Sequence, residues 1–431
     1  MTSSGGSSSS LRIAVVGAGV VGLACAARLQ MRGHAVTLVD PRDPGSYCSS
    51  GNAGCLSRAS CVPLGLPGTW KKVPKWLLDP EGPLVIRPGY ALRVMPWLWR
   101  FRRNSTLEHV NAIADALHTL LDVTIARWRP LAAWAGVPEL IRQDGYAFAY
   151  RSESAFAADA LGRELRLARG VKVEVHTGGT IREIEPALAP ETTHLVLLPE
   201  QGHTPNPLRL SQALAARLRA GGATFVNREA TGFDMVAGRV ARVVTAQGAI
   251  DADAVVICAG AHSNALSSQL GADLPLETER GYHAMLASAS VVPRMPVGSG
   301  EGKWFATPME GGLRVAGAVE FAGLSAPPRY ERADVLVAGA KRLLPGLRHG
   351  AVERWMGHRP SMPDSMPVIG CSPAAANAYF AFGHGHTGLT GAPATAEIVE
   401  ALVCGERPAI DPRPFAAERF RSARSPDHRG G

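Results

Sequence analysis

The sequence predicts an α/β protein in which a discontinuous Rossmann-type domain is interrupted by an inserted α+β domain. Three observations support this prediction. The chain of 431 residues is longer than one ordinary hydrophobic core requires. Residues 12–40 have the pattern of a strand, a glycine turn, a helix and a second strand. A further buried strand at 253–258 comes more than 200 residues after the glycine turn, so the segments between them form an insertion.

The first stretch, RIAVVGAGVVGLACAARLQMRGHAVTLVD, could be a secretory signal or the start of a nucleotide-binding fold. A signal peptide needs a basic segment before its apolar core and small residues at a cleavage site after it. Here Arg12 is the only early charge, and a second apolar run, AVTLV, stands where a cleavage site would be. The nucleotide-binding interpretation is therefore favoured.

The turn GAGVVG contains three glycines with separate physical tasks. Gly17 permits the tight turn, Gly19 lets the backbone approach a pyrophosphate, and Gly22 lets the helix pack closely on the strand. The free N–H groups and the positive dipole end of the following helix favour an anion. Asp40 follows the second strand, where its carboxylate can accept hydrogen bonds from a ribose. The predicted dinucleotide-binding residues of this segment are Gly17, Gly19, Val20, Val21, Gly22 and Asp40.

The rest of the chain divides between the two domains. Residues 107–135 have helical composition, 207–220 form a helix bounded by Pro207 and Gly221, and the late strand ends at Gly260. Ala230 and Gly260 are further candidate cofactor contacts. The expected ranges are 12–65, 200–274 and 350–420 for the Rossmann-type domain, 66–199 and 275–349 for the inserted domain, and 1–11 and 421–431 for disordered tails.

Composition narrows the class of protein. Hydrophobic residues make up 46% of the chain, and the net charge of +8 comes from arginines and lysines spread along it. No stretch interleaves aromatic residues with a basic stripe as a nucleic-acid surface does, so we expect no nucleic-acid partner. The cysteines are seven, an odd number, and none forms a CxxC pair. We therefore expect reduced thiols in a cytoplasmic protein and no metal site.

One basic aromatic stretch, YALRVMPWLWRFRR, permits two interpretations. Its tryptophans and arginines could seat a surface helix at a membrane interface. Alternatively, the aromatic residues pack on the inserted domain and the arginines are solvated. Pro96 interrupts a long amphipathic helix, which favours packing. No apolar run reaches the roughly 20 residues needed to span a bilayer.

Four stretches make the chain recognisable: GAGVVG with Asp40, SSGNAG at 49–54, RGYH at 280–283, and the pair GHRPSMPDSMPVIG and FGHGHTGLTGAP. From residue 12 to about 420 the chain resembles the superfamily of FAD-dependent D-amino-acid dehydrogenases and glycine and D-amino-acid oxidases. It is most similar to the bacterial dehydrogenase branch that includes D-hydroxyproline enzymes. The resemblance implies a Rossmann-type FAD-binding domain with an inserted substrate-binding domain, and FAD held tightly without a covalent bond.

The resemblance also implies roles for individual residues. Two loops would lie along the flavin, and their residues are Ser49, Ser50, Asn52, Ala53 and Gly54, and Gly385, Thr387, Gly388, Leu389 and Thr390. A helix from about Pro393 to Cys404 would direct its positive end at the flavin. Arg359 matches the arginine that binds the substrate carboxylate, and Tyr282 a hydroxyl that helps to hold it. His386 is our choice among three histidines for a catalytic role.

The implied chemistry is oxidation of a carbon–nitrogen bond beside a carboxylate, on a D-amino acid or a cyclic D-imino acid such as D-proline or cis-4-hydroxy-D-proline. The electron acceptor is a quinone or O₂, and a quinone would place the protein at the inner face of the membrane. Position 358 is His where related dehydrogenases often carry a bulkier residue, which leaves the substrate size open. Two alternatives stay open: a sarcosine or 2-hydroxy-acid oxidoreductase on the same fold, and the FAD subunit of a hetero-oligomeric dehydrogenase.

Overall fold

The computed structural model describes residues 10–79 and 81–420, and these form two principal sheets with helices around them. In chain order, the strands are β1 (Arg12–Val16), β2 (Ala35–Val39), β3 (Cys55–Leu56), β4 (Leu84–Ile86), β5 (Tyr146–Tyr150), β6 (Glu174–Thr177), β7 (His194–Leu198), β8 (Gly202–His203), β9 (Thr224–Val226), β10 (Ala230–Val236), β11 (Arg239–Thr245), β12 (Gly248–Asp251), β13 (Ala254–Ile257), β14 (Glu277–Leu286), β15 (Val297–Ser299), β16 (Phe305–Met309), β17 (Gly312–Phe321), β18 (Val352–Ser361), β19 (Val368–Cys371) and β20 (Ala378–Phe382). The α-helices are α1 (Val20–Met31), α2 (Thr69–Leu78), α3 (Ala91–Arg103), α4 (Leu107–Leu121), α5 (Thr124–Trp134), α6 (Glu153–Ala157), α7 (Ala160–Leu167), α8 (Thr180–Ile184), α9 (Pro207–Ala220), α10 (Asn264–Gln269), α11 (Glu331–Leu343) and α12 (Gly388–Val403).

The first sheet has the strand order β19-β20-β13-β1-β2-β9 and is parallel except for β19. β13 is buried along its whole length and pairs with β1 in parallel, so the late strand rejoins the first one as the sequence predicts. Such strands are covered on both faces, which explains their continuous apolar sequence. The helices α1, α9 and α12 contribute buried residues to the core of this sheet.

The second sheet is larger and mostly antiparallel, with the order β18-β14-β17-β16-β15-β5-β7-β6, and β4 lies beside β17. Helix α11 covers one face through Leu336, Leu343 and neighbouring apolar residues. This is the expected α+β unit. Three elements lie outside the expected domain ranges: β18 belongs to this sheet, and α4 and α5 pack in the core of the first sheet. The exact domain ranges stay a prediction.

Two helices contain a proline in their interior, where the sequence predicted an interruption in one case and a helix start in the other. α3 runs without a break from Ala91 to Arg103 with Pro96 inside, so the prediction that Pro96 interrupts this helix is wrong. α12 begins at Gly388, five residues before the predicted start at Pro393. The segment 107–135, which has helical composition, contains two helices, α4 and α5, and these are separated at Val123, which has a φ of +48°. Among the described residues, no helix is long and apolar enough to cross a membrane.

Candidate functional site

The glycine turn joins β1 to α1 and excludes side chains at two of its positions. Gly17 has a φ of +107°, which L residues rarely adopt, and a Cβ there would lie 2.4 Å from the Cys258 carbonyl oxygen. A Cβ on Gly22 would lie 1.9 Å from the Gly17 carbonyl oxygen. The Gly17 N–H donates to the Val39 carbonyl at 2.9 Å. The turn therefore packs the start of α1 tightly against the ends of β2 and β13.

The N-terminus of α1 offers backbone N–H groups to a ligand. Gly19 occupies the N-cap position in an extended conformation and brings no capping side chain. Val21 and Gly22 lie in the first helical turn, where N–H groups have no acceptor within the helix. The Val20 N–H donates to Ser49 Oγ at 2.9 Å, so the loop hydroxyl reaches the same point. This cradle suits a phosphate group.

Asp40 closes the turn from the end of β2. Its Oδ2 accepts a hydrogen bond from the Ala18 N–H at 2.8 Å, and its Oδ1 accepts one from the Arg42 N–H at 2.9 Å. The Asp40 N–H donates to the Val226 carbonyl at 3.1 Å. Each carboxylate oxygen can accept a second hydrogen bond. Asp40 therefore positions the turn and retains acceptor sites for a ribose hydroxyl.

Two further predicted cofactor contacts, Ala230 and Gly260, lie at the start of β10 and just after β13. Ala230 begins β10 and pairs with Thr245. Gly260 has a φ of +56° and starts the short turn after β13. Their contact with a cofactor stays a prediction.

The loop at 46–54 is held by its own side chains and by the large sheet. Asn52 accepts a hydrogen bond from the Gly54 N–H at 2.7 Å and donates to the Ser49 carbonyl at 2.6 Å. The Ser50 hydroxyl turns back onto the loop backbone. Arg314, on β17, donates to the carbonyls of Ser50 and Asn52 at 2.8 and 2.7 Å. These bonds hold the loop against the second sheet.

Two stacked aromatic rings of the second sheet also contact the loop at 46–54. His283 on β14 and Trp355 on β18 stack with their centroids 5.0 Å apart. His283 Nδ1 donates to the Gly51 carbonyl at 2.9 Å, and burial lowers the pKa of this imidazole to about 3. A Cβ on Gly51 would lie 2.3 Å from the Trp355 ring, so glycine is required there. Ala53 lies in the same stretch, and its carbonyl accepts a weak bond from Cys55 Sγ at 3.8 Å.

The second predicted loop leads into α12. Gly385 has a φ of +52°, and its N–H donates to the Pro360 carbonyl at 2.7 Å, which ties the loop to the end of β18. The Thr387 hydroxyl donates to the His384 carbonyl at 2.9 Å. The helix then starts at Gly388 without a side-chain cap. Its free N–H groups and positive dipole end therefore lie beside this loop.

Pro393 is accommodated inside α12 because another residue replaces its missing hydrogen bond. A proline in a helix leaves the carbonyl four residues earlier without its usual donor, and here that carbonyl belongs to Leu389. The indole Nε1 of the buried Trp128, on α5, donates to the Leu389 carbonyl at 2.8 Å. The Thr124 hydroxyl donates to the next carbonyl, that of Thr390, at 2.7 Å. α5 thus fixes the first turn of α12.

Arg359, on β18, is a second cation of the large sheet near these loops, besides Arg314. Its guanidinium reaches across the neighbouring strand and donates to the carbonyls of Ala318 and Gly317 at 2.9 and 3.3 Å. Ala318 lies in a β-bulge with a φ of +57°, and such irregularities often re-aim groups near a site. Burial lowers the pKa of Arg359, and nearby Glu279 opposes that shift. An arginine so placed remains charged at ordinary pH.

A histidine–carboxylate pair adjoins Arg359. Glu279 lies directly opposite Arg359 in the β14–β18 pairing, so both side chains share one face of the sheet. Glu279 is 3% exposed, and its Oε2 lies 2.9 Å from His386 Nε2. Since a carboxylate only accepts, Nε2 of the histidine is the donor. The structure therefore brings Arg359 and His386 together through Glu279.

Tyr282 lies on the other face. Along β14, side chains alternate between the two faces of the sheet, and Tyr282 points to the face opposite to the one shared by Glu279 and Arg359. Tyr282 is 1% exposed and lies in the core under α11. Its hydroxyl donates to the buried Glu320 at 2.5 Å and accepts from the Arg329 N–H at 3.1 Å. The sequence-based expectation of a shared carboxylate site for Tyr282 and Arg359 therefore needs correction, because the sheet separates them.

His358 and His384 have partners of their own. Burial and nearby Arg280 lower the pKa of His358 to about 4, and its Nδ1 bonds with the Tyr47 hydroxyl. The His384 ring is buried, and its Nε2 bonds with Thr395 Oγ1 at 2.9 Å. Both rings therefore have structural contacts.

Sequence reasoning missed the groups on the large sheet that complete the site: Glu279, Gly281, His283, Arg314 and Trp355. Because side chains alternate between the two faces of a strand, every second residue counted back from Arg359 shares its face of β18, and this set includes Trp355. The sequence could therefore have indicated Trp355. The matching face of β14 needs the strand register, which the sequence does not contain.

Comparison with known proteins agrees with this geometry. Residues 12–402 match the family described as FAD dependent oxidoreductase. A D-amino-acid oxidase of Bradyrhizobium diazoefficiens is 40% identical over 415 residues, which cover 95% of this chain and 98% of that protein. A D-amino acid dehydrogenase of Rhizobium johnstonii is 32% identical over 418 residues, covering 95% of this chain and 100% of that protein.

Solved structures share the fold. The glycine oxidase of Bacillus cereus has a TM-score of 0.72 at 21% identity, and the alignment covers 92% of this chain and 96% of the glycine oxidase chain. The L-proline dehydrogenase of P. horikoshii has a TM-score of 0.69 at 20% identity, and the alignment covers 95% of this chain and 98% of the dehydrogenase chain. The predicted fold class and family are thereby confirmed, and this chain belongs to the family of FAD-dependent oxidoreductases.

Proposed function

We propose that the protein oxidises a D-amino acid at its α-carbon and yields an imino acid that water converts to a 2-oxo acid. The observation that carries this proposal is Arg359, a half-buried cation beside the two loops predicted to lie along the flavin. The two relatives named for D-amino acids, at 40% and 32% identity over nearly the whole chain, support the substrate class. A cyclic D-imino acid, such as D-proline or cis-4-hydroxy-D-proline, is the finer proposal, and its product remains cyclic.

The residues present fit FAD. A Cβ at Gly17 or Gly22 would collide with the backbone of the turn, so the glycines keep the turn tight, and the uncapped start of α1 suits a pyrophosphate. Asp40 would hold the ribose, and the uncapped N-terminus of α12 would lie near the flavin. When bound, FAD supplies the acceptor for the hydride that leaves the α-carbon.

Arg359 would bind the substrate carboxylate. Its planar fork matches a carboxylate with two parallel hydrogen bonds, and the carbonyls of Gly317 and Ala318 fix its orientation. Because the side chain is desolvated, the attraction to a carboxylate is stronger than it would be in water. This anchor holds the α C–H bond in one direction, on which hydride transfer depends.

The Glu279–His386 pair would receive the proton of the substrate ammonium. The amine must be neutral when the C–H bond breaks, because its lone pair stabilises the developing iminium. With Nε2 bonded to Glu279, the imidazole of His386 can accept a proton at Nδ1, and the carboxylate stabilises the resulting positive charge. The side chain of His386 is 34% exposed, so the proton can pass on to solvent.

The test is anaerobic reduction of the purified flavoprotein, followed by flavin absorbance, with D- and L-amino acids, D-proline, cis-4-hydroxy-D-proline, sarcosine and 2-hydroxy acids. Bleaching by D-amino or D-imino acids supports the proposal and ranks the substrates. Bleaching only by sarcosine or hydroxy acids overturns it. Reoxidation with O₂ or with a soluble quinone then identifies the acceptor.

The Arg359→Ala variant tests the anchor. We expect bound flavin to remain and KM for the amino acid to rise about 100-fold, because the cation that pairs with the substrate carboxylate is lost. An unchanged KM would exclude Arg359 as the carboxylate ligand.

A further inference from the structure

Helix α3 exposes apolar side chains on the side that faces away from the protein. Its inner side packs on Phe321 of the large sheet through three buried residues, Val94, Trp97 and Leu98. On the outer side, Leu92, Met95 and Trp99 are 88, 54 and 58% exposed. They follow the spacing i, i+3, i+7 and so form one stripe. A surface helix normally carries polar residues there, so this stripe is unusual.

Arginines flank the apolar stripe on both sides. With about 100° of rotation per residue, Arg93 and Arg100 fall on one side of it and Arg102 on the other. The guanidinium carbon of Arg103 lies over the Trp99 ring, 4.7 Å from its centroid. Residues 91–103 include no acidic residue, and within the described part of the chain none of these four arginines forms an ion pair. Their positive charge is therefore available to an external partner.

The neighbouring helix α2 repeats this composition. Its basic residues are Lys71, Lys72 and Lys75, and residues 69–78 include no acidic residue. Leu77 and Leu78 are 44 and 85% exposed. The Trp70 ring packs edge-on against Phe101 of α3, with the centroids 6.1 Å apart. Two adjacent helices thus combine exposed apolar groups with positive charge and contain no acidic residue.

We propose that α3 lies on a membrane surface that contains anionic lipid. The apolar stripe enters the boundary between headgroups and acyl chains, and the flanking guanidinium groups remain at the lipid phosphates. Tryptophan is enriched at this depth because its ring is apolar and its N–H is polar. The charge of the face matches an anionic bilayer, which selects this occupant.

The docked helix lies next to the candidate site. The indole N–H of Trp97 donates to the Ser361 carbonyl at 3.3 Å, two residues beyond Arg359. Asn104, just after α3, donates to the Pro363 carbonyl at 3.4 Å. A membrane-bound protein could pass its electrons to a quinone, which dissolves in the bilayer, so the inference bears on the electron acceptor of the proposed function. Only this link to the acceptor rests on the proposed function. Vesicle binding needs no turnover, so failure of one proposal is distinguishable from failure of the other.

The experiment is flotation of the flavin-loaded protein with vesicles of phosphatidylglycerol and phosphatidylcholine, or of phosphatidylcholine alone. We expect binding to the anionic vesicles and about tenfold weaker binding to the neutral ones. Trp99→Glu should reduce anionic binding about tenfold, and Arg100→Gln about fivefold. Val236→Glu is the control, because Val236 is 63% exposed on β10, and we expect it to bind as the unmodified protein does.

Three results would overturn the proposal. The first is no binding of the unmodified protein to anionic vesicles, and the second is equal loss of binding in the Trp99 and Val236 variants. The third is self-association in sedimentation that Trp99→Glu abolishes without any vesicle binding, which would assign the face to a second copy of the chain. Bound flavin and the thermal midpoint of each variant verify that it is folded.

Discussion

The guanidinium carbon of Arg359 lies 2.1 Å from the point that a Cβ on Gly281 would occupy. Gly281 is on β14, between Arg359 on β18 and the carbonyls on β17 that the guanidinium reaches. The absence of a side chain at this one position therefore lets Arg359 cross the neighbouring strand.

We predict that Gly281→Ala displaces Arg359 without unfolding the sheet. The methyl group meets the end of a flexible side chain, so the guanidinium moves and its bonds to β17 are lost. KM for the amino acid should rise about tenfold, and flavin content should be unchanged. Steady-state kinetics and flavin absorbance measure both quantities.

Gly179→Ala is the matched control, because nothing lies within 4 Å of a Cβ at Gly179. If both variants changed KM equally, or if Gly281→Ala left it unaltered, the arginine would not depend on this gap.

The sequence predicts local features of the site better than contacts between strands. The turn with Gly17 and Gly22 lies within six consecutive residues, and its steric requirement is local. Glu279 and His386 are 107 residues apart, so only the folded chain pairs them. Tyr282 shows the same limit: a shift of one residue along a strand moves a side chain to the opposite face.

Proline is another feature whose effect depends on tertiary contacts. Pro393 is a poor helix residue by itself, and the sequence therefore predicts a later start for α12. Trp128 is 261 residues away from Leu389 along the chain and supplies the donor that the proline lacks. Such a substitute donor cannot be read from the sequence around the proline.

The Glu279–His386 pair predicts a catalytic defect in a variant that retains its fold. Glu279→Gln removes a carboxylate that accepts from His386 Nε2 but retains the size of the side chain. We expect kcat to fall about 100-fold while flavin stays bound and KM changes little. A purely structural role would lower the thermal midpoint and leave kcat in place, so the two measurements distinguish the roles.

The glycine cradle predicts loss of flavin from a single methyl group. In Gly22→Ala the new Cβ would lie 1.9 Å from a backbone oxygen, that of Gly17, which cannot move without opening the turn. We expect purified protein with less than about a tenth of the normal flavin content. Gly89→Ala, where a Cβ meets nothing within 4 Å, should retain its yellow colour. Full flavin content in the Gly22 variant would contradict the cradle.

Tyr282 should contribute to stability rather than to substrate binding. Tyr282→Phe leaves the buried carboxylate of Glu320 without one of its donors and the Arg329 N–H without its acceptor. We expect the free energy of unfolding to fall by about 1–3 kcal/mol and KM to change less than about twofold. Tyr330→Phe, at a 43% exposed position, should alter neither quantity. A large rise in KM with unchanged stability would return Tyr282 to the substrate site.

Buried histidines predict that the protein loses stability in mild acid. Burial lowers the pKa of His384 to about 3 from an ordinary value of 6.5. Between pH 6.5 and pH 3 the unfolded chain therefore binds a proton at His384, whereas the native chain does not. The contribution of neutral His384 to the free energy of unfolding is complete above pH 6.5 and is lost as the pH falls toward 3. The slope from one such group is at most about 1.4 kcal/mol per pH unit.

Urea unfolding of the flavin-loaded protein between pH 7 and pH 4 measures this slope. His384→Asn should be less stable at pH 7, since the hydrogen bond to Thr395 is altered, but should lose less further stability on acidification. His109→Asn, at an exposed position on α4, is the control and should follow the unmodified protein. Parallel curves for all three proteins would mean that His384 takes up its proton in the native state as readily as in the unfolded chain.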